Sequence, residues 1–284
     1  MRRSLFFLIL CGIVISMVCF NTGCTQKKPE AVDTLVVADT MAVDTVETDT
    51  LAQIVEATPM PKAADELFDD FFFNFINSKK LQRARVKFPL PVRENGANSV
   101  VQRGQWQMEK FFRDQEYYTL IFDNEKQMKV VKDTSIAHVT VEKIFLQQGS
   151  VEQFVFNREN GQWLLTEKNT VGLGESKNAS FLKFLQGFFA QPTANNVKDP
   201  LPYYGPDPEN EDDSKYVNIH IPADTWSDYV PEIPGNMVYN ILYGQEYGEG
   251  NEKIFLFKGL SNGLQTQLRF KKSGDEWTLV KLEL

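Results

Sequence analysis

The sequence predicts an α+β fold made of two tandem units, each with a helix and an antiparallel sheet. Three observations support this prediction. A phenylalanine-rich helical pattern occurs twice, each copy precedes a series of β-prone segments, and each series contains a hairpin with the same Phe, Trp and Leu spacing. A helix followed by an antiparallel meander is typical of α+β proteins in which the helix covers one sheet face.

The first helical pattern begins near Asp65, in ADELFDDFFFNFINSKKLQRARV. Acidic residues occupy its start and basic residues its end, as the helix dipole prefers. The helix is expected to end before FPLP, because a residue that precedes proline avoids helical torsions. The apolar side chains that share one stripe of this helix are Leu67, Phe68, Phe71, Phe72, Phe75 and Ile76.

The second helical pattern is NASFLKFLQGFFAQ, for which Ser180 is the candidate N-cap. Two further motifs recur in the same order: VKFPLP at 86–91 matches VKDPLP at 197–202, and FNRENGQWLL at 156–165 matches FKKSGDEWTL at 270–279. The three correspondences lie 113, 111 and 114 residues apart. They predict a tandem duplication with repeats at 64–172 and 176–284, joined by VGLGESKN.

Nine segments have the composition of strands, and Asn160-Gly161 and Ser273-Gly274-Asp275 supply hairpin turn chemistry. The predicted strands are 117–122, 135–146, 150–157, 162–168, 216–221, 236–244, 252–259, 264–271 and 276–284.

The chain begins with Arg2 and Arg3, an apolar run at 5–20 and Cys24, which together resemble a lipoprotein signal. Paired helix-plus-sheet units that end in F-x-x-x-x-x-x-W-x-L, behind such a signal, resemble an uncharacterised family of bacterial lipoproteins. That family is similar in fold to nuclear transport factor two, a cone of curved antiparallel sheet wrapped on helices. The resemblance covers residues 65–284 and implies two tandem cone domains. It implies no activity, because that superfamily spans isomerases, dehydratases and plain binding modules.

The N-terminus reads as a bacterial lipoprotein signal peptide over residues 1–23. Arg2 and Arg3 precede an apolar run at 5–20, which is shorter than the roughly 20 residues needed to cross a bilayer. The small residues before Cys24 resemble a lipobox, in which the thiol receives a lipid. The alternative is an ordinary signal peptide with a chance cysteine. Lipidation predicts a chain anchored in the bacterial cell envelope, on the periplasmic or surface face of the outer membrane.

Residues 24–63 contain no aromatic residue and no sustained apolar period, which predicts a disordered tether rich in Asp, Thr and Val. Asp-Thr followed by an aliphatic residue occurs four times between 33 and 51. This triplet resembles the acceptor sequon of bacterial O-glycosylation. A spacer that grew by repeat slippage is the alternative. The predicted acceptors are Thr34, Thr40, Thr45 and Thr50.

Composition and motifs exclude several functions. A net charge of -8 argues against nucleic acid, which needs clustered Lys and Arg to replace phosphate counterions. His138 and His220 lie on the polar faces of their strands, so solvated imidazoles are expected. DPENEDD at 207–213 lacks calcium-loop spacing, and GLGES at 172–176 lacks a phosphate-loop context. No catalytic residue, metal or cofactor is therefore predicted.

Tyrosines concentrate in the second unit: seven of the nine lie between 203 and 247. Tyrosine and tryptophan combine a large contact area with a polar group, which suits recognition of protein or carbohydrate. The general preference of strands for aromatic residues is the alternative. The residues proposed to form a binding face are Trp226, Tyr229, Tyr239 and Tyr243.

The leading functional hypothesis is a non-catalytic, lipid-anchored module that binds an envelope protein or a glycan. The rival is a small-molecule enzyme, such as an isomerase, dehydratase or hydrolase, with its pocket in one cone. An inward-facing Asp, Glu or His in a deep pocket would favour the enzyme. A groove lined by aromatic residues would favour the binding module, and a purely structural spacer would have neither.

Overall fold

The computed structural model describes residues 65–284, except for 95, 113–114, 211–214, 233–236, 246 and 249. The signal peptide 1–23, the tether 24–63 and their predicted modification sites lie outside the described residues and stay predictions. No helix in the described ranges combines the length and apolarity needed to span a membrane.

Three α-helices and three short 3-10 helices are described. The α-helices are α1 Phe68–Asn77, α2 Lys79–Arg85 and α3 Ala179–Ala190, and the 3-10 helices are Gln127–Lys132, Leu173–Glu175 and Ala223–Tyr229. The twelve strands are β1 Leu90–Glu94, β2 Ala97–Val101, β3 Tyr117–Phe122, β4 His138–Phe145, β5 Ser150–Glu159, β6 Gln162–Gly172, β7 Leu201–Pro206, β8 Tyr216–Ile221, β9 Met237–Leu242, β10 Glu252–Gly259, β11 Gln265–Ser273 and β12 Glu276–Glu283.

The helical predictions need two corrections. The first helix is interrupted at Ser78, whose backbone is extended and whose hydroxyl accepts a hydrogen bond from the Leu81 N–H at 3.1 Å, so Ser78 caps a separate helix α2. The prediction of Ser180 as an N-cap is wrong. Asn178 holds that position in α3, and its side chain bonds to Lys253 at 2.7 Å instead of capping the helix.

All nine predicted strands are confirmed, and three further strands, β1, β2 and β7, join them in a single sheet. Its order is β2-β1-β6-β5-β4-β9-β3-β10-β11-β12-β7-β8. The sheet is mixed, which corrects the antiparallel prediction: β1 pairs with β6, β12 with β7 and β3 with β9 in parallel.

The middle of the sheet contains an exchange of strands between the two halves of the chain. β9, from the second half, pairs with β4 of the first half, and β3, from the first half, pairs with β10 of the second. β3 and β9 meet at Thr119 and Asn240. The predicted boundary at 172–176 follows β6, but the sheet is continuous across the two sequence halves.

Two apolar cores lie on opposite faces of this sheet. Successive side chains of a strand point to opposite faces, and along β3 Tyr118 and Leu120 belong to one core while Tyr117 and Ile121 belong to the other. The phenylalanines of α1 pack in the first core and those of α3 in the second. All six residues of β3 are therefore buried.

Both cores contain the same aromatic arrangement. In the first, the ring of Phe68 lies 5.3 Å from Phe156 and 5.1 Å from Trp163. In the second, the ring of Phe181 lies 5.3 Å from Phe270 and 5.0 Å from Trp277. The recurring Phe and Trp of the sequence therefore hold each helix against its sheet.

Candidate functional site

Within the described residues, aromatic side chains fill the first core, which contains the phenylalanines of α1. Phe111 and Phe112, from the segment before β3, are both 6% exposed. Their rings lie 5.1 and 5.7 Å from Phe72, and Phe112 packs edge-on against Tyr239 at 4.9 Å. These contacts fill the space between α1 and the sheet with aromatic side chains.

The second core, which contains the phenylalanines of α3, is packed in a similar way. Trp226, from the 3-10 helix after β8, stacks on Phe188 of α3 at 4.5 Å. Its indole N–H donates to the Thr193 carbonyl at 3.0 Å. A groove of about 260 Å³ lies beside this part of α3 and is lined by both apolar and polar side chains.

The structure does not bring the four proposed binding residues together on a surface. Trp226 belongs to the second core, whereas Tyr239 and Tyr243 belong to the first, and all three are at most 2% exposed. Tyr229 is half-buried and packs against Tyr203 at 4.9 Å. Tyr239 lies on β9 and Tyr243 directly after it, whereas Trp226 and Tyr229 belong to the 3-10 helix that packs in the second core. Burial raises the pKa of Tyr239 to about 12.

A tyrosine–aspartate cluster links the two sequence halves in the first core. Tyr243 donates a short hydrogen bond to Asp69 of α1, and the Tyr118 hydroxyl lies 3.5 Å from the same carboxylate. Lys258 lies 3.5 Å from Asp69. Burial, followed by the charge of Asp69, raises the pKa of both tyrosines. They therefore remain neutral donors rather than bases.

A larger buried polar cluster lies on the other face of the central strands. The Glu142 carboxylate accepts hydrogen bonds from Asn240 at 2.9 Å and Gln153 at 3.0 Å. Burial raises the pKa of Glu142 above its ordinary value, although the two amide donors oppose this shift. The amide oxygen of Asn240 is buried without a hydrogen bond in the described structure. Sequence reasoning missed this carboxylate, because it sits within an apolar strand pattern.

An ion pair is buried in the same region. Lys253 is 3% exposed, pairs with Asp123 at short distance and donates to Asn178 at 2.7 Å. Its ammonium lies 4.9 Å from the centre of the Tyr247 ring. The equivalent strand position in the first half is Val139, since Lys253 is opposite Phe270 and Val139 is opposite Phe156. A lysine at this strand position is therefore specific to the second half, and its partner Asp123 comes from the first half.

Glu142→Gln is expected to stabilise the protein at neutral pH. Because the folded-state pKa is raised, the contribution of Glu142 to stability is present at low pH and is lost as pH rises through that pKa. Each unit by which the pKa is raised corresponds to about 1.4 kcal/mol. A neutral amide removes this dependence, and rotation of the Asn240 amide lets its oxygen accept a hydrogen bond from the introduced amide group.

Urea unfolding between pH 5 and 8 measures this effect. The stability of the parent protein should fall relative to the Glu142→Gln variant as pH rises. Glu276→Gln is the matched control, because Glu276 is exposed in β12 and the substitution should leave the profile unchanged. A Glu142→Gln variant that is less stable at every pH would contradict the expectation.

The exposed aromatic residues of the second half lie instead on β7 and β8, at one edge of the sheet. Tyr204 and Tyr216 are 44% and 47% exposed. Their ring centroids are 5.6 Å apart and the ring planes are tilted by 52°. Asn218 and His220 lie on the same outward face of β8 and are also exposed. These four residues are called the β7–β8 surface.

The other polar candidates of the sequence have ordinary surroundings. His138 and His220 are both exposed, as the strand alternation predicts. His138 hydrogen-bonds Asn157 at 2.8 Å. In the acidic loop, Asp207 pairs with Lys215 at 2.8 Å, and 211–214 are outside the described residues. Within the described ranges no group of His, Cys, Asp and Glu side chains has the arrangement of a metal site.

The described architecture, a large mixed sheet with helices packed on it, is shared with a solved protein of the nuclear-transport-factor-two-like (NTF2-like) class. The crystal structure of an NTF2-like protein from Bacteroides fragilis is 36% identical in sequence and superposes with a TM-score of 0.70. The match covers 79% of this chain and 98% of the Bacteroides chain.

The chain belongs to the family described as a domain of unknown function, DUF4348, whose model matches residues 47–284. The family match therefore covers all of the described sheet. No curated protein matches the chain. The α+β prediction and the resemblance to nuclear transport factor two are confirmed at the level of this shared fold.

Proposed function

We propose that the protein is a lipid-anchored module of the bacterial cell envelope that binds a partner without catalysis. The observation that supports this function is the contrast between the two cores of the protein and the β7–β8 edge of its sheet. Aromatic side chains fill both interiors, whereas the β7–β8 surface presents two half-exposed tyrosines to solvent. Exposed tyrosines beside polar groups suit recognition, because the ring supplies contact area at a low cost in side-chain entropy.

The anchor and tether of this proposal come from the sequence. Cys24 carries the lipid, and residues 24–63 hold the folded part away from the membrane surface. The tether bears O-glycans at its Asp-Thr-aliphatic triplets, which hydrate a β-prone segment and oppose strand pairing between neighbouring molecules. The proposed acceptors are Thr34, Thr40, Thr45 and Thr50.

The folded part arose by tandem duplication in this proposal. Two observations support it. Phe68 and Phe181 make matching contacts, each with one Phe and one Trp of its own core. In the sheet order, each strand of the first half and its counterpart in the second half lie at the same distance from the centre of the sheet. The two cone units then share one sheet through exchange of β3 and β9. The copies differ at the sheet edge, since the exposed tyrosine pair belongs to the second unit.

Site-specific crosslinking in native cells tests the binding function. A photoreactive phenylalanine analogue replaces Tyr216 in the tagged full-length chain, and the adduct is analysed by mass spectrometry for peptide and sugar. The matched control places the analogue at Leu264, which is 65% exposed outside this surface. We expect an adduct at position 216 and none at position 264.

Failure to form an adduct at position 216, or an identical adduct at both positions, would reject binding through the β7–β8 surface. The intact mass of the mature chain from the same cells measures lipid on Cys24 and carbohydrate on the tether. A measured mass without lipid would reject the proposed anchor. A measured mass that includes the lipid but no carbohydrate would reject the proposed glycans.

A small-molecule enzyme is the second candidate, and the buried Glu142 favours it. A carboxyl group whose pKa is raised by burial is the type of group that serves as a general acid. Lys253 and Asp123 lie on the same side of the central strands. A bound metabolite that copurifies with the parent protein, and is lost in Glu142→Gln, would support this candidate over the binding module.

A further inference from the structure

The two tyrosine rings of the β7–β8 surface keep open faces. At a tilt of 52° and a centroid distance of 5.6 Å, neither ring lies flat on the other. The other large apolar side chains with high exposure in the described structure lie elsewhere: Val100 is on β2, at the opposite edge of the sheet, and Leu264 precedes β11. The tyrosines thus form a small, isolated aromatic patch rather than part of a broad apolar surface.

The polar groups beside these rings have no partner among the described residues. In the sheet register Asn218 lies directly opposite Tyr204, and His220 lies opposite Pro202 on the same face. The side chains of Asn218 and His220, and the hydroxyls of the two tyrosines, make no hydrogen bond to described residues. Amide, imidazole and hydroxyl groups in one place provide both donors and acceptors for a ligand.

Two charged side chains next to this patch, Lys215 and Glu283, are already paired. Lys215, which precedes β8, binds Asp207 at 2.8 Å. Glu283 lies opposite Tyr204 on β12 and is bound by Lys281 at 2.7 Å and by Gln267 at 2.7 Å. Because Lys215 is paired with Asp207, an anionic ligand would find no free cation in it, whereas a neutral ligand needs no counter-ion.

We propose that Tyr204, Tyr216, Asn218 and His220 form a binding site for a neutral glycan. A pyranose ring has a C–H face that packs on an aromatic ring and a rim of hydroxyls that exchange hydrogen bonds with amide and imidazole groups. The inference rests on the proposed binding function and specifies its partner.

The size of the patch favours a glycan over a protein. Stable protein–protein interfaces bury about 1,200 Å² or more around an apolar core. The exposed aromatic surface consists of two rings, and its apolar neighbours on the same face of β7 are only the half-buried Pro202 and Pro206 among the described residues. A sugar chain is narrow enough to be held by two rings and their polar neighbours.

Titration of the full mature chain with neutral oligosaccharides tests the site. The probes are short gluco-, manno-, galacto- and xylo-oligosaccharides in α- and β-linked forms, with oligogalacturonate as the charged comparison. We expect at least one neutral probe to bind with a Kd of about 1 mM or lower by calorimetry, and the charged probe not to bind. Tyr204→Ala and Tyr216→Ala should each weaken binding by roughly tenfold.

Leu264→Ala is the matched control, because Leu264 is more exposed than either tyrosine and lies away from the site. Its affinity should equal that of the parent protein. Absence of binding by every neutral probe, or binding that both tyrosine variants retain, overturns the glycan site. A peptide adduct at position 216 in the crosslinking experiment would then leave the binding function in place with a protein partner. No adduct and no bound sugar would overturn both.

Discussion

Replacement of Phe156 by alanine is expected to destabilise the whole described sheet by about 3–5 kcal/mol. Phe156 is fully buried, and its ring lies between 5.3 and 6.0 Å from the rings of four phenylalanines of α1. The alanine leaves a cavity between the helix and the sheet that surrounding side chains fill only in part. This loss is a large fraction of the roughly 5–15 kcal/mol that stabilises a typical domain.

Phe270→Ala is the matched variant in the other core. Its ring contacts Phe181, Phe184 and Phe188 of α3 at distances between 5.3 and 5.6 Å, so a similar loss is expected. Because β3 and β9 are exchanged between the halves, neither core can form with its own half of the chain alone. Each variant should therefore lower the stability of both halves together.

Urea unfolding followed by near-ultraviolet circular dichroism measures the total loss. Hydrogen exchange of the β6 and β12 peptides then shows whether the two halves respond together. We expect a single transition for the parent and for both variants, with the slowly exchanging amides of β6 and β12 affected equally. Two transitions, with Phe156→Ala shifting only the β6 peptide, would mean that the halves unfold as independent domains.

Lys253→Met is expected to cost about 3–5 kcal/mol, because it breaks a buried ion pair while one charge remains inside. The ammonium of Lys253 contacts Asp123 and Asn178, and it is almost completely excluded from solvent. Among the described residues, its removal leaves the Asp123 carboxylate with the Gly248 N–H, at 2.6 Å, as the remaining close donor. The methionine fills much of the volume, so the loss reports on charge rather than on a cavity.

A double-mutant cycle separates the pair from its surroundings. Asp123→Asn combined with Lys253→Met should cost less than the sum of the single variants, since no unpaired charge is then buried. Lys87→Met is the control: Lys87 pairs with Glu159 at 2.8 Å, but the two side chains are 56% and 39% exposed. Exposed pairs contribute about 0–1 kcal/mol. Equal losses of stability for Lys253→Met and Lys87→Met would show that the buried pair contributes no more to stability than an exposed pair.

Local patterns in the sequence identify most of the secondary structure. The period of the phenylalanines predicts α1 and α3, and the alternation of strand residues predicts nine of the twelve strands. The pattern does not predict β1 and β7, because each contains proline. It does not predict β2, because β2 is a short, exposed edge strand. The interruption at Ser78 is also missed, since a single serine within a helical period gives little warning of a break.

The amino-acid sequence by itself determined the α+β class, the two phenylalanine-rich helices and the richness of tyrosine in the second half. Only the tertiary structure decided that β3 and β9 exchange partners and that the exposed pair is Tyr204 and Tyr216 rather than Tyr239 and Tyr243. The physical reason is that both decisions depend on long-range pairing. A strand pattern shows which side chains share a face, but the neighbouring strand and the element packed above determine whether that face meets solvent.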